Sequence, residues 1–257
     1  MLRFASLASG SQGNCLVAEA DGTTVMIDCG LNLRDAEKRL AKLGLEPRDI
    51  DGILVTHEHG DHACGVFDFA AAHSTRVYMT HGTHAGMRAE GKVIEGVKII
   101  FLNGRENVAI DAMLVQPFTV PHDAREPVQY VLSDGASRLG VVTDIGASTA
   151  HVQERLSGLD ALVLECNYDA DMLWNGPYPG WLKQRIAGPL GHLDNAESAR
   201  ILSALDRSRL KHVIGAHLSQ HNNRPALARA VLAQAMGCSE EWIGLASQGD
   251  GFDWRAL

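Results

Sequence analysis

The sequence is short of cysteine, of aromatics and of cations, and it has no long apolar run. Its five cysteines (15, 29, 64, 166 and 238) are odd in number, widely spaced and free of any C-x-x-C pair. A disulfide framework and a thiolate zinc site are therefore not expected, and a reducing, cytoplasmic setting fits best. No stretch approaches a membrane-spanning length, so no membrane partner is expected. The opening MLRFASLASGSQGN lacks a basic region followed by a long apolar stretch, so no secretory signal is expected. Lys and Arg total 23 against 31 Asp and Glu, a net charge of −8. The simple route from a basic protein to a nucleic-acid ligand is thus closed. Repeats and low-complexity linkers are absent. What is present is 257 residues, 46% apolar and 21% charged, which is ordinary globular composition with enough chain for a substantial core. The unusual count is twelve histidines, several of them beside acids.

The pattern begins with strands and then alternates helix with strand. Leu2–Leu7, Cys15–Glu19 and Thr23–Asp28 read as strands, and Leu33–Leu43 as an amphipathic helix stopped by Gly44. Gly52–Thr56 reads as a short apolar strand, and Asp61–Ala72 as a helix with an acid at its positive end. Strands follow at Arg76–Met79, Ile99–Leu102, Ala112–Val120, Val128–Leu132, Arg138–Val142, Ala161–Leu164 and Val213–Ala216. Helices are expected at Ala147–Leu156, at Asp194–Leu205 with Asp194 as cap, and at Pro225–Met236. This order predicts an α/β (α+β) domain of two packed sheets with helices outside, spanning 1–257.

The chemical signal is Thr56-His57-Glu58-His59-Gly60-Asp61-His62, directly after a strand. In extended chain, residues i and i+2 point the same way, so His57 and His59 can grip one ion. Gly60 lets the chain turn, and Asp61 and His62 can reach a second ion from the other side. Imidazoles and carboxylates suit Zn²⁺, Mn²⁺ or Fe²⁺ where no thiolate is offered. Three further strand ends carry ligand types: His122, Asp144 and His217. Together they complete a set for two ions. His57, His59 and His122 would hold one, Asp61, His62 and His217 the other, and Asp144 would bridge.

This H-x-H-x-D-H loop followed by His, Asp and His resembles the metallo-β-lactamase superfamily. The resemblance implies a single-domain αββα sandwich with its site at one edge. Val25-Met26-Ile27-Asp28-Cys29-Gly30 is similar to that family's first motif, whose acid, here Asp28, holds the metal loop from behind. An Asp at the bridging position sets the chain apart from the common lactamases. It points to the branches of phosphodiesterases and nucleases, glyoxalase II thioesterases, and lactonases. Leu7–Cys15, Leu164–Asp169, Tyr178-Pro179 with Leu182–Ile186, Gly191–Asn195 and His217–Asn223 are similar to the WalJ (YycJ) group, although Gln220-His221 stands where that group shows a small residue and Glu. The implied function is a dinuclear metal-dependent phosphodiesterase, a 5′-to-3′ exonuclease on double-stranded DNA. The alternatives are a glyoxalase II type thioesterase or lactonase, and a small-molecule (cyclic) phosphodiesterase. The interval from Asp144 to His217 is too short for the large inserted domain of ribonuclease J.

Phosphodiester hydrolysis assigns further roles. Two ions make a hydroxide nucleophile from a shared water near neutral pH, and Asp61 or Asp144 can orient or deprotonate it. The leaving sugar alkoxide calls for a general acid, and His192, in a glycine-flanked turn, is the candidate, oriented by Glu165. Phosphate contacts are expected from Ser9, Ser11 and Asn14 in a Gly-rich loop, which reads equally as a tight turn, and from Lys183 and Arg185. Residues 183–229 carry eight cations against three acids, a basic tract in an acidic chain. Arg207 and Arg209 within it read as solvated helix charges. Trp174, Tyr178 and Trp181 read as a packed aromatic lid or as a stacking surface for a terminal base. His81 and His84 flank a turn whose next helix Thr83 can cap.

Overall fold

The computed structural model describes residues 1–91 and 96–257. Strands β1 (Arg3–Ala8), β2 (Cys15–Ala20), β3 (Thr23–Ile27), β4 (Gly52–Leu54), β5 (Arg76–Thr80) and β6 (Ile99–Leu102) build one sheet. Strands β7 (Val108–Ile110), β8 (Met113–Thr119), β9 (Val128–Ser133), β10 (Arg138–Val142), β11 (Ala161–Glu165), β12 (His212–Ala216) and β13 (Gly244–Leu245) build the other. The last strand, β14 (Phe252–Ala256), returns to pair antiparallel with β1 and completes the first sheet at seven strands. Each sheet starts antiparallel and turns parallel, at β3 in the first and at β10 in the second. Parallel neighbours need crossovers, and these supply the outer helices. Leu33–Lys42, Val66–His73 and His81–Ala89 cover the first sheet, and Ala150–Leu156, Asn195–Ala204 and Pro225–Met236 cover the second.

The central strands of each sheet are therefore buried on both faces, which explains strands that read as apolar runs rather than as alternation. Leu2, just before β1, and Phe4 within it enter the core between the sheets, while Ala5 and Leu7 face the outer helices with Leu40 and Phe69. Across the sandwich, Val115, Tyr130 and Val163 fill the same inner core. The second outer core joins Val142 and Leu164 to Val152, Ile201 and Leu232. The result is the αββα arrangement, and the fold class read from the sequence holds.

Several local expectations need correction. The helix expected at Asp61–Ala72 is two helices, Gly60–Ala63 and Val66–His73. The break falls at Gly65, where a Cβ would lie 1.8 Å from the Leu31 carbonyl oxygen, so the chain there is pressed against neighbouring backbone. Thr80, not Thr83, caps the helix His81–Ala89, accepting from the Thr83 N–H, and His81 and His84 lie within it against Phe101. The helix expected from Ala147 starts at Ala150 with Thr149 as cap. Arg207 and Arg209 sit outside any helix: Arg209 pairs with buried Asp160 at 3.0 Å, and Arg207 donates to the Ala235 carbonyl. No disulfide joins the described cysteines, and no described helix is long and apolar enough to cross a membrane.

Candidate metal centre

The parallel strands end at one edge of the sandwich, and the loops leaving them carry the chemistry. Asp28 follows β3, the His57–His62 loop follows β4, Asp144 follows β10 and His217 follows β12, while Glu165 closes β11. Three of these turn sharply: Asp28, Asp144 and His217 have left-handed backbone, with φ of 58°, 53° and 54°. A side chain other than glycine pays in strain there, and such strain gathers at functional sites. Gly30 lets the first loop meet the metal loop backbone to backbone, since a Cβ would stand 1.8 Å from the Asp61 carbonyl oxygen.

The potential ligand atoms gather into overlapping groups, each within 4.8 Å. One is His57, His59 and His122. A second is Asp61, His62 and His217. A third joins His57 and His62 to Asp144, which thereby lies between the first two. All seven residues expected from the sequence are brought together. A fourth group joins Asp144, Glu165, His192 and His217.

Outer hydrogen bonds aim the imidazoles. Asp28 is buried and accepts from the Thr56 N–H and O–H, both at 2.8 Å, and from His62 Nδ1 at 2.7 Å. The Thr56 hydroxyl, having donated to Asp28, accepts from His57 Nδ1 at 2.9 Å. That leaves His57 Nε2 as a bare lone pair, buried and without a hydrogen-bond partner. Such an atom costs free energy unless something electrophilic meets it. His122 Nδ1 donates to the Gly191 carbonyl at 3.0 Å, and His217 Nδ1 to Glu165 at 3.1 Å. A second nitrogen tied outward while the first points inward is how metal-binding histidines are held. The donor set therefore fits a divalent cation of the kind expected.

The titration behaviour has the same origin. Burial depresses His57 well below an ordinary imidazole, which keeps it neutral, the ligating form. Burial also works against His217, but Asp144, Asp61 and Glu165 outweigh it and hold the ring up at about 10. His62 is held well above its ordinary value in the same way, and its Nε2 stands 2.6 Å from Asp144 Oδ2. Asp144 stays ionised despite burial because His217 and His62 face it.

Glu165 is fully buried and fully used. Its Oε1 accepts from His192 Nδ1 at 2.8 Å as well as from His217, and its Oε2 accepts from the N–H groups of Ile145 and Leu193. His192 is 23% exposed and lines a cleft of about 420 Å³ together with Asp61, Asp144, Arg185 and His217. Burial lowers its proton affinity, and Glu165 more than restores it.

The expected phosphate contacts divide. Ser9 is buried, and its hydroxyl accepts from the His217 N–H at 2.8 Å. Asn14 is buried too, with Nδ2 3.0 Å from His62 Nε2 and its backbone joined to Asp61 and Gly30. Both tie loops together, and the Gly13 N–H closes a turn onto the Gly10 carbonyl. Ser11 faces the cleft. Arg185 reaches it while paired with Asp123 at 2.7 Å, and Lys183 donates to the Trp174 carbonyl. Thr56 was missed by sequence reasoning, although its place one residue ahead of the first ligand was the available signal. The shared bond from Glu165 to His217 had no signal, because it joins residues 52 positions apart.

Comparison with known proteins agrees with this geometry. The chain is 35% identical over 236 residues to the exodeoxyribonuclease YycJ of Bacillus anthracis, covering 91% of this chain and 89% of the relative. It is 32% identical over 250 residues to the exodeoxyribonuclease WalJ of Streptococcus pneumoniae, covering 95% and 91%. The fold matches that of Zn²⁺-bound PqqB from Methylobacterium extorquens, with a TM-score of 0.75 at 18% identity over 99% of this chain and 100% of the other. A model of the beta-lactamase superfamily domain matches residues 23–217. With its fold, its ligand cluster and these relatives agreeing, the chain belongs to the metallo-β-lactamase superfamily of hydrolases.

Proposed function

We propose that this enzyme is a dinuclear phosphodiesterase, specifically a 5′-to-3′ exonuclease on double-stranded DNA. The observation that carries the reading is the His192–Glu165 pair beside the ligand cluster, taken with relatives named exodeoxyribonucleases. One divalent ion, Zn²⁺ or Mn²⁺, would be held by His57, His59 and His122, the other by Asp61, His62 and His217, with Asp144 between them. Bound there, such ions supply Lewis acidity toward the phosphoryl group and the attacking water.

The chain's own residues do the rest. Asp61 is 23% exposed toward the cleft and orients the attacking water as a hydrogen-bond acceptor. Asp144 keeps its negative charge at the centre. His192 gives its Nε2 proton to the departing sugar oxygen, while Glu165 grips Nδ1 and stabilises the imidazolium before transfer. A thiolate leaves without such help, so a buried acid that orients a cleft histidine favours an alkoxide leaving group over a thioester. Arg185, steered by Asp123, and Ser11 meet the non-bridging phosphate oxygens. Ser9, Asn14 and Asp28 hold the loops that carry the ligands.

The test offers 5′-labelled duplex DNA, duplex RNA and a thioester to the protein with Mn²⁺ or Zn²⁺, with EDTA as control. Release of 5′-mononucleotides from DNA alone, abolished by EDTA, is expected. Preferential thioester cleavage would overturn the reading.

A further inference from the structure

Residues 174–190 run from the last residues of the helix Ala170–Asn175 to the turn that carries His192. The sequence expectation of a packed aromatic lid does not describe them. None of these seventeen residues is buried, although they include Trp174, Tyr178, Trp181 and Leu190. Trp181 is 67% exposed and Trp174 51%. Aromatics make up only 5% of the chain, and three of them fall in this arm without serving any core. An indole left in water at a helix surface forgoes the burial that normally retains it.

The arm's charge is as distinctive as its exposure. It contains Lys183 and Arg185 and no acid, in a protein whose net charge is −8. It is also continuous with the reaction cleft: Tyr178, Leu182, Arg185 and Ile186 line that cleft. On the helix Gly180–Ile186, Trp181 and Arg185 are one turn apart and share a face. Exposed aromatic faces, cations, absent acids and an open path to the metal edge match one ligand chemistry. That chemistry is a polyanion with flat rings at regular intervals, a nucleic-acid strand.

We propose that this arm is the strand-end grip, in which Trp181 stacks on a nucleobase beyond the scissile phosphate and the Arg185 face meets the backbone. The proposal rests on the nuclease reading and gives it a substrate-positioning surface. Trp181 is not among the residues that line the cleft with the ligands, so its contribution lies in holding DNA.

The experiment measures steady-state hydrolysis of 5′-labelled duplex DNA by wild type, Trp181→Ala and Trp181→Phe. It adds light scattering at working concentration. Stacking on one base predicts a KM about tenfold higher for Trp181→Ala with kcat within twofold. Trp181→Phe, which keeps a ring, recovers most of the loss. Unchanged KM in an active Trp181→Ala enzyme overturns the grip and leaves the nuclease reading standing. Wild-type protein that leaves DNA intact defeats that reading and the grip with it. A wild-type dimer that Trp181→Ala makes monomeric overturns the grip by assigning the exposed indole to a second copy of the chain.

Discussion

Asp28→Asn isolates what one buried carboxylate does for the metal loop. The substitution keeps size and shape, and Asn accepts the left-handed backbone that residue 28 adopts. Asp28 receives three hydrogen bonds, two from Thr56 and one from His62. One carboxylate oxygen takes the Thr56 N–H, and the other takes both the Thr56 hydroxyl and His62 Nδ1. Asparagine has one acceptor oxygen, so its amino group must face either the Thr56 N–H or that pair. Facing the N–H, it sets donor against donor and displaces the backbone next to His57. Facing the pair, it frees the His62 ring to rotate and leaves the tautomer of His57 no longer imposed by the Thr56 hydroxyl. Either way a ligand is misaimed, and loss of such an outer partner lowers metal affinity about 10- to 100-fold, or about 1.4–2.7 kcal/mol. The assay is competition for Zn²⁺ against a chromophoric chelator, with circular dichroism to confirm the fold. A folded Asp28→Asn protein that binds zinc as tightly as wild type would refute the reasoning.

Four further outcomes are expected. His192→Ala retains its metal content but loses about 10²–10⁴-fold in kcat on DNA; undiminished turnover removes the histidine from proton transfer. Metal uptake releases protons, because His217, held up at about 10, is an imidazolium at pH 7 and must become neutral to ligate. Apparent affinity therefore rises with pH up to that value, and calorimetry in two buffers of different ionisation enthalpy should show at least one proton expelled. EDTA lowers the melting temperature relative to protein in a hundredfold excess of ion over Kd, a difference of about 2.7 kcal/mol. Tyr130→Phe, which deprives the Val55 carbonyl of a 2.7 Å hydrogen bond inside the sandwich, costs about 1–3 kcal/mol in urea unfolding.

Much of the fold was legible because strands buried on both faces announce themselves as apolar runs, as Val25–Ile27 and Ala161–Leu164 do. β14 was not legible: Phe-Asp-Trp-Arg-Ala at a sheet edge has exposed positions and no such run, and only its pairing with β1 makes it a strand. The Gly60–His73 break escaped notice because Gly65 is dictated by the backbone of residue 31, far off in sequence. The ligands were legible because their residue types are rare in combination and sit directly after strands. The scaffold behind them was less so. Ser9 and Asn14 have the composition of a phosphate loop, and only the fold shows their side chains spent on His217 and His62. Arg209 looked solvated because Asp160, its partner, lies in another part of the chain.

The ligand groups also have a mechanical consequence. His57, His59 and His62 hang from one sheet, whereas His122, Asp144 and His217 hang from the other. Any cation held by the first three groups is therefore a clasp across the sandwich. It cross-links residues as far apart as 57 and 122, or 62 and 217, much as a disulfide closes a loop and restricts the unfolded chain. Prying the two layers apart at this edge and emptying the site are the same event.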